Sequence, residues 1–224
     1  MIFSLTDSEY EADLQVISHR LTIELIGDGI RETFFTKRLP LRHIISPCQA
    51  ILEDNVVSII LEMMSAIRDP GLYIDFLGTT SYTNRKGELR TTPSSYYYVP
   101  VNKVKYALDE GIAKDFMDTE SPMLFVDQYK LYSAKSKWVI DVNPEAKYAL
   151  LGMTQELAGL DLKISQLSRP IEEFLQLWKP DAPFLTATLD LEQYYSWIPR
   201  MLIHVYGRER ATHLLHEAGF LLED

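Results

Sequence analysis

Residues 123–142 read MLFVDQYKLYSAKSKWVIDV, and they decide the fold that the sequence predicts. In the second half of this stretch every other residue is a large apolar one, as in a strand that buries one face: Trp138, Ile140 and Val142. Small and basic residues at 134–137 separate this strand from an earlier aromatic and aliphatic run at 123–132. The pattern predicts an antiparallel β-hairpin over residues 123–142.

A second β-hairpin is predicted over residues 72–99. Its two arms, 72–82 and 89–99, are rich in aromatic and β-branched residues, and the turn-forming sequence Asn-Arg-Lys-Gly lies between them at 84–87. Pro93 interrupts the second arm. A proline at such a place is typical of an edge strand or a β-bulge.

The tetrapeptide Lys-Tyr-Ala-Leu occurs twice, at 105–108 and at 147–150, each time a few residues after a Val-Asn pair. Each copy follows one of the two hairpins, so the repetition indicates a hairpin and helix unit that is present twice, as a decayed duplication would leave it. We expect the second of these helices to begin at Asn143. The sequence Asn-Pro-Glu there supplies a cap, a first-turn proline and an acid near the positive end of the helix dipole.

The N-terminal third predicts a helix from the capping box Thr-Asp-Ser-Glu at 6–9 to a stop at Gly27, because apolar residues recur between them at spacings of three and four. An alternative interpretation makes residues 21–26 a strand, which the Asp-Gly pair at 28–29 turns into a second strand at 30–35. We prefer the helix, since the cap, the apolar stripe and the stop agree.

A largely buried helix is predicted from Ser46 and Pro47 to Ile67. Serine caps helices and proline suits the first helical position, and a wide apolar stripe follows. The sequence Asp-Pro-Gly at 69–71 ends this helix, because proline cannot continue the hydrogen-bond ladder.

Beyond residue 143 the sequence predicts helices to the end of the chain, including a short one at 168–178 and a final one at 208–218 between two glycines. The fold class that follows is α+β. A small antiparallel sheet from the hairpins 72–99 and 123–142 packs with helices from the N-terminal and C-terminal thirds. We expect a single domain over residues 1–224, with a minor boundary possible only at the proline-containing break near 179–189.

Composition limits the classes of function. The chain is 46% apolar and has one cysteine, Cys48, so it can bury a core without disulfides. We expect a cytoplasmic protein with no signal peptide and no membrane association, since no apolar run approaches the ~20 residues of a membrane span. The formal net charge of -10 disfavours nucleic acid as a partner and favours a basic protein.

The candidate partner-binding residues are Tyr96, Tyr97, Tyr98, Arg85 and Lys86. Tyrosine offers a large contact area at a small entropic cost, and strand alternation places Tyr97 on the face opposite its two neighbours. The ordinary alternative is a sheet face covered by helices, with a charged hairpin tip that prevents edge aggregation.

The candidate metal ligands are His213 and His216, with Glu209 and Glu217 close to them in the sequence. Residues three and four apart on a helix share a face, and imidazole with carboxylate suits a divalent transition metal. The spacing is a weak signal, because the HExxH pattern is absent and a solvated helix face explains the same residues. No cofactor is expected.

No segment carries a catalytic motif. The Gly-Asp-Gly sequence at 27–29 fits neither phosphate-loop pattern, and the two serines at 94–95 lack the G-x-S-x-G elbow. We therefore expect a non-catalytic acidic protein that binds another protein, such as an inhibitor or an immunity-type protein directed at a basic enzyme. The alternative is an enzyme or a small-ligand-binding domain with a pocket between the sheet and the C-terminal helices, lined by residues such as Asp75, Tyr97, Asp141 or His204.

Overall fold

The computed structural model describes residues 3–4, 9–26, 31–48, 52–76, 81–83, 89–91, 96–108, 128–144, 146–178 and 197–220. Its strands are β1 (Phe3–Ser4), β2 (Thr22–Ile26), β3 (Arg31–Phe35), β4 (Leu41–Ile45), β5 (Gly71–Phe76), β6 (Ser81–Thr83), β7 (Leu89–Thr91), β8 (Tyr96–Pro100), β9 (Tyr129–Ser133), β10 (Trp138–Asn143) and β11 (Tyr148–Met153). Seven of them form one antiparallel sheet in the order β1-β8-β5-β9-β10-β11-β4, and β2 with β3 and β6 with β7 form separate two-stranded ribbons.

The helices stand before, between and after these strands. They are α1 (Gln15–Leu21), α2 (Asp54–Ile67), α3 (Val104–Tyr106), α4 (Asp161–Ser165), α5 (Ile171–Leu177), α6 (Trp197–Tyr206) and α7 (Arg208–Glu217). A π-helical turn, Tyr10–Leu14, leads into α1, and 3₁₀ turns at Val101–Lys103 and Gln155–Leu160 lead into α3 and α4.

Both faces of the large sheet are covered. The first face packs against α2, α3, α4 and the 3₁₀ turn before α4, and it takes one set of alternating side chains from each strand, such as Ile74, Leu131 and Ile140. The second face packs against α1, the β2–β3 ribbon, α5, α6 and α7, and it takes the other set, such as Tyr132 and Val139. Helices from both thirds of the chain thus enclose an antiparallel sheet, which confirms the predicted α+β class.

Both predicted hairpins are present. In the first, Leu72 lies opposite Val99, and the β6–β7 pair continues it toward the turn. In the second, Val139 lies opposite Tyr132. The sheet is larger than predicted, because β11 and β4 extend it beyond β10 and β1 extends it beyond β8.

The two copies of Lys-Tyr-Ala-Leu adopt different structures, so the predicted duplication is wrong. Residues 105–108 continue the helical turn of α3, whereas residues 148–150 belong to β11. The second copy is a strand because β11 pairs with β10 on one side and with β4 on the other. The helix predicted at Asn143 is also wrong: Asn143 Oδ1 accepts the Ala146 amide proton at 2.9 Å and forms a tight turn between β10 and β11.

The N-terminal helix ends earlier than predicted, at Leu21, and the alternative interpretation of residues 21–35 is the correct one. Thr22 has an extended backbone, and its hydroxyl donates to the Ser18 carbonyl at 3.0 Å, which closes the last turn of α1. The chain then forms β2, which pairs with β3. The predicted cap at residues 6–8 and the turn at 28–29 lie outside the described residues.

The helix predicted from Ser46 is confirmed in its body and wrong in its start. It begins at Asp54, because the residues after β4 continue the contact of that strand with the β11 segment: the Cys48 amide donates to the Lys147 carbonyl at 3.0 Å. Its buried stripe matches the prediction, and it ends where predicted, with Arg68 in the left-handed conformation as the C-cap.

The short helix α5 and the final helix α7 confirm the predictions for residues 168–178 and 208–218. The predicted minor boundary near 179–189 lies outside the described residues. Within the described ranges, no helix combines the length and the apolar character that crossing a membrane requires.

Gly152 of β11 allows the β2–β3 ribbon to approach the second face of the sheet. A Cβ atom on this residue would lie 2.5 Å from a ring carbon of Phe35, the last residue of β3. The ring of Phe35 is buried at 3% exposure. The absence of a side chain at residue 152 therefore lets an aromatic ring rest directly on the strand.

We predict that Gly152→Ala destabilises the protein by about 1–3 kcal/mol, because the Phe35 ring must shift in a packed core. Urea unfolding measures the effect. The control is Gly159→Ala, since a Cβ there meets nothing within 4 Å, and this change should stay within about 0.5 kcal/mol. Placing Gly152→Ala in a Phe35→Leu background should reduce its cost. Equal costs for the two glycine changes would contradict the close approach.

Candidate functional site

A row of charged side chains crosses the second face of the sheet at its centre. Lys130 of β9 lies opposite Asp75 of β5 on one side and opposite Asp141 of β10 on the other. Lys130 and Asp141 have no exposed surface, and Asp75 is 6% exposed. Buried charges are costly unless they are paired and hydrogen bonded, so the neighbours of this row matter.

The β2–β3 ribbon and the residue before β9 supply partners for the row. Glu24 of β2 forms an ion pair with the Lys130 ammonium. Gln128 Nε2 donates to both carboxylate oxygens of Asp141, at 2.8 and 3.0 Å. Thr33 of β3 is buried, and its hydroxyl has no hydrogen bond of good geometry among the described residues.

Burial raises the pKa of Asp141, because it penalises the charged carboxylate. The neighbouring Lys130 charge lowers that pKa and offsets part of the effect, and the amide of Gln128 adds a smaller contribution in the same direction. The row is therefore an ionic contact, buried at Lys130 and Asp141 and open to solvent at Glu24, that joins the ribbon to three central strands. Asp75, Tyr97 and Asp141, which the sequence nominated as pocket residues, are core residues in the structure.

His204 of α6 connects the ribbon to the C-terminal helices. The Phe35 amide donates to Nε2 at 2.8 Å, so Nε2 acts as an acceptor and is unprotonated. Arg42 donates to the His204 carbonyl at 2.7 Å, which places its guanidinium beside the same ring. Burial, and after it the Arg42 charge, lowers the pKa of His204 to about 4.

An open cleft of about 650 Å³ lies along β4, the last strand of the large sheet. We call it the β4 cleft; its walls are residues 40–44, Ser46, Asp161, Ser165, 168–172, Val205, Tyr206 and Arg210. It lies between the sheet and the C-terminal helices, where the alternative function predicted from the sequence places a pocket. His204 is not part of its walls.

Polar groups line much of this cleft, and several already have partners. His43 Nε2 is 2.9 Å from Asp161 Oδ1, so a neutral His43 carries its proton on Nε2 and keeps Nδ1 as an acceptor. Burial is the main influence on this imidazole and lowers its pKa, while Asp161 acts in the opposite direction. The Ser165 and Ser168 hydroxyls donate to the backbone carbonyls of Leu162 and Ile44. Neither serine is therefore activated by the His43–Asp161 pair, as nucleophilic catalysis would require.

Two arginines stand at the cleft with their side chains open to solvent. Arg210 lies over the ring of Tyr206, 4.8 Å from the ring centroid, and has no carboxylate partner among the described side chains. Arg169 is 67% exposed, and its one described ion pair, with Glu173, is 3.5 Å long. Such an exposed pair contributes little and is readily exchanged for another anion.

The predicted partner-binding residues separate in the structure. Tyr97 is 2% exposed and belongs to the core of the first face, whereas Tyr96 and Tyr98 are half-buried on the second face, as strand alternation predicted. Arg85 and Lys86 lie outside the described residues. A binding role for these five residues stays a prediction.

The predicted metal ligands His213 and His216 are exposed on α7, and His213 Nε2 is 3.4 Å from Glu217 Oε1. In the part of the chain that the structure describes, no three His, Cys, Asp or Glu residues are grouped closely enough to hold a metal ion. The residues of the β4 cleft that the sequence interpretation missed are His43, Asp161, Arg169 and Arg210. No local motif marks them, because they come from four separate elements.

The acidic character of the chain does not extend to the described surface. Among the residues whose side chains the structure describes, acidic and basic side chains are equal in number. The surplus that gives the net charge of -10 therefore belongs to the rest of the sequence. Among the described residues, the cleft with arginines is the feature that suits an anionic ligand.

Comparisons with protein-family models, with curated proteins and with solved structures find no match to this chain.

We predict that Lys130→Met destabilises the protein by about 3–5 kcal/mol, because it leaves the Asp141 and Glu24 carboxylates without their cation. Adding Asp141→Asn should recover more than about 1 kcal/mol of that loss, since it removes the buried charge. Urea unfolding of the single and double variants measures both. The control is Lys137→Met, which breaks the exposed pair with Glu156 and should cost less than about 1 kcal/mol. Additive effects of the two buried changes would contradict the ionic row.

We also predict that His204 makes the stability depend on pH. Because its folded pKa of about 4 lies below its unfolded value, its contribution is present above about pH 6.5 and is lost as the pH falls toward 4. His204→Gln keeps an acceptor for the Phe35 amide but does not titrate. The stability advantage of the wild type over this variant should therefore shrink between about pH 7 and about pH 4.5 in urea unfolding. His216→Gln, on the exposed face of α7, serves as the control, and an advantage that is the same at both pH values would contradict the assignment.

Proposed function

We propose that the protein is a ligand-binding protein whose β4 cleft takes a molecule that carries a carboxylate or phosphate group. The observation that supports this most directly is Arg210, a cleft residue whose guanidinium is held over the Tyr206 ring and has no carboxylate partner among the described side chains. Arginine presents a planar set of donors that matches carboxylate and phosphate oxygens in pairs. Stacking on the ring limits the positions of this guanidinium without using its donors.

The size and the other walls of the cleft support the same function. A volume of about 650 Å³ falls within the ~300–1,000 Å³ that is usual for ligand sites. Arg169 adds a second exposed guanidinium. The carboxylates among the cleft walls are Asp161, which accepts from His43, and Glu172, and they are fewer than the arginines.

Binding explains the cleft better than catalysis does. The three cleft serines, Ser46, Ser165 and Ser168, donate to backbone carbonyls, and the His43–Asp161 pair is not joined to any of these hydroxyls. The proposed function needs no cofactor.

The acidic protein-binding role predicted from the sequence is a second candidate, including an inhibitor or immunity-type role toward a basic enzyme. The net charge of -10 favours it, and residues 109–127 carry six acidic residues against one lysine. A partner recognised in this way should associate more slowly as salt rises from low to physiological concentration. A rate that does not change with salt, measured in an affinity capture followed by stopped-flow kinetics, would contradict this role.

We predict that a panel of carboxylates and phosphate monoesters contains ligands that raise the melting temperature, and that Arg210→Ala weakens their binding by about 10- to 100-fold. Isothermal titration calorimetry measures the affinity. Arg208→Ala is the matched control, because Arg208 is an exposed arginine of the same helix turn outside the cleft walls. The proposal fails if no member of the panel binds, or if the two variants weaken binding equally.

A further inference from the structure

The β4 edge that borders the cleft presents backbone groups in the arrangement of a strand that lacks a neighbour. The Thr154 amide donates to the Lys137 carbonyl at 2.9 Å, in the register of the β10–β11 pair. Residues of an antiparallel strand hydrogen bond alternately to the neighbour on one side and to the neighbour on the other. Even-numbered residues of β11 therefore hydrogen bond to β10, and odd-numbered residues hydrogen bond to β4. The residues of β4 opposite those odd-numbered positions include His43, which lies opposite Leu151. Arg42 and Ile44 therefore direct their amide and carbonyl groups away from the sheet.

Among the described residues, the loop before α5 covers one end of this edge, and the rest of the edge borders the cleft. The Ser168 hydroxyl donates to the Ile44 carbonyl, and the Arg169 amide donates to the Ser46 carbonyl at 2.9 Å. The amide and carbonyl of Arg42 and the amide of Ile44 have no hydrogen bond to the described residues. Proteins usually cover or block such an edge, because it is a template for another strand.

We propose that the β4 cleft binds an extended acidic peptide, which adds a strand to the β4 edge and places a carboxylate on Arg210. This inference rests on the proposed function and names the class of ligand. An extended peptide alternates amide and carbonyl groups at the spacing of the free groups of Arg42 and Ile44. A small carboxylate or phosphate could occupy the arginine but would leave these backbone groups without partners.

The two walls of the cleft give the peptide a side-chain pattern. The side chain of Ile44 points to the second face, where α6 and α7 contribute Tyr206 and Arg210. The side chains of Leu41 and His43 point to the opposite face, where α4 contributes Asp161. Successive side chains of an added strand would alternate between these walls, so acidic residues are expected at every second position of the peptide, on the Arg210 side.

Charge supports an acidic peptide over a neutral or basic one. The walls of the cleft contain three arginines, Arg42, Arg169 and Arg210, against two carboxylates, Asp161 and Glu172. The covered end of the edge limits the pairing to a short strand, of about four residues at the ~3.4 Å per residue of an antiparallel strand. Specificity would then come from the alternate side chains and affinity from the backbone.

The test begins with selection of six-residue peptides from a random library on the full chain. The best binder is labelled with fluorescein, and its affinity is measured by fluorescence anisotropy. We expect acidic residues at alternate positions of the selected peptides. We also expect a loss of affinity of about tenfold or more with Arg210→Ala and little change with Arg208→Ala.

Backbone methylation of the peptide then tests the strand pairing without changing the protein. Two versions carry N-methyl groups on alternate residues, one on the odd-numbered amides and one on the even-numbered amides. One version should lose at least about tenfold in affinity, because its methyl groups face the Arg42 carbonyl, and the other should stay within about threefold. Equal losses, or no loss in either version, would overturn the added strand.

The outcomes separate this inference from the proposed function. If carboxylates or phosphate monoesters bind through Arg210 and no peptide is selected, the inference is wrong and the proposed function stands. The same holds if a peptide binds through Arg210 but the two methylated versions behave alike. If neither the small anions nor the peptides depend on Arg210, both are wrong.

Discussion

The two-sided covering of the large antiparallel sheet is the constraint on which the rest of the structure depends. Many antiparallel sheets keep one face in water, which permits charged side chains there without a partner. Here helices cover the first face, and helices with the β2–β3 ribbon cover the second. Every polar side chain on the inner strands must therefore find a partner within the protein. Backbone groups of the sheet can meet a ligand only at an edge.

The ionic row shows how the second face meets this requirement. Lys130 and Asp141 lie at its centre, and Glu24 reaches them from a ribbon that is separate from the sheet. At the end of β3, the ring of Phe35 rests on Gly152 and the Phe35 amide donates to His204. Glu32 of the ribbon also pairs with Arg200 of α6. On the sheet the ribbon is held by the ionic contact, by the packing of Phe35 on Gly152 and by the Arg42 guanidinium, and it makes two further contacts with a C-terminal helix.

Local patterns predicted the elements that depend on local pairing. Both hairpins were found from alternation and turn residues, because their strands are neighbours in the sequence as well as in the sheet. The sequence of β11, YALLGM, has no alternation, since both of its sides are buried, and a short apolar run of that kind does not distinguish a strand from a helix. Its pairing with β4 joins residues about a hundred positions apart, and no local signal reports such a contact.

The candidate site was less predictable than the fold for the same reason. The sequence interpretation placed a pocket between the sheet and the C-terminal helices but nominated Asp75, Asp141 and His204, polar residues near apolar segments. In the structure, Asp75 and Asp141 belong to the ionic row, and His204 accepts a hydrogen bond from the ribbon. The cleft takes its charged residues from β4, α4, the loop before α5 and α7, which only the folded chain brings together. Asp75, Lys130 and Asp141, each within an aromatic or aliphatic strand, were charged positions whose unusual setting could have indicated the ionic row.

Arg42 makes the wall of the cleft rigid. Its guanidinium donates to the carbonyls of Leu39, Phe35 and His204, at distances of 2.7–3.2 Å, so a single side chain fastens β4, the end of the ribbon and α6 together. A wall fixed in this way is preorganised, and a ligand that docks on it does not have to order the protein. The conformational entropy that is lost on association is then mainly that of the ligand. Conformationally rigid ligands should therefore bind this surface more tightly than flexible ligands of equal size.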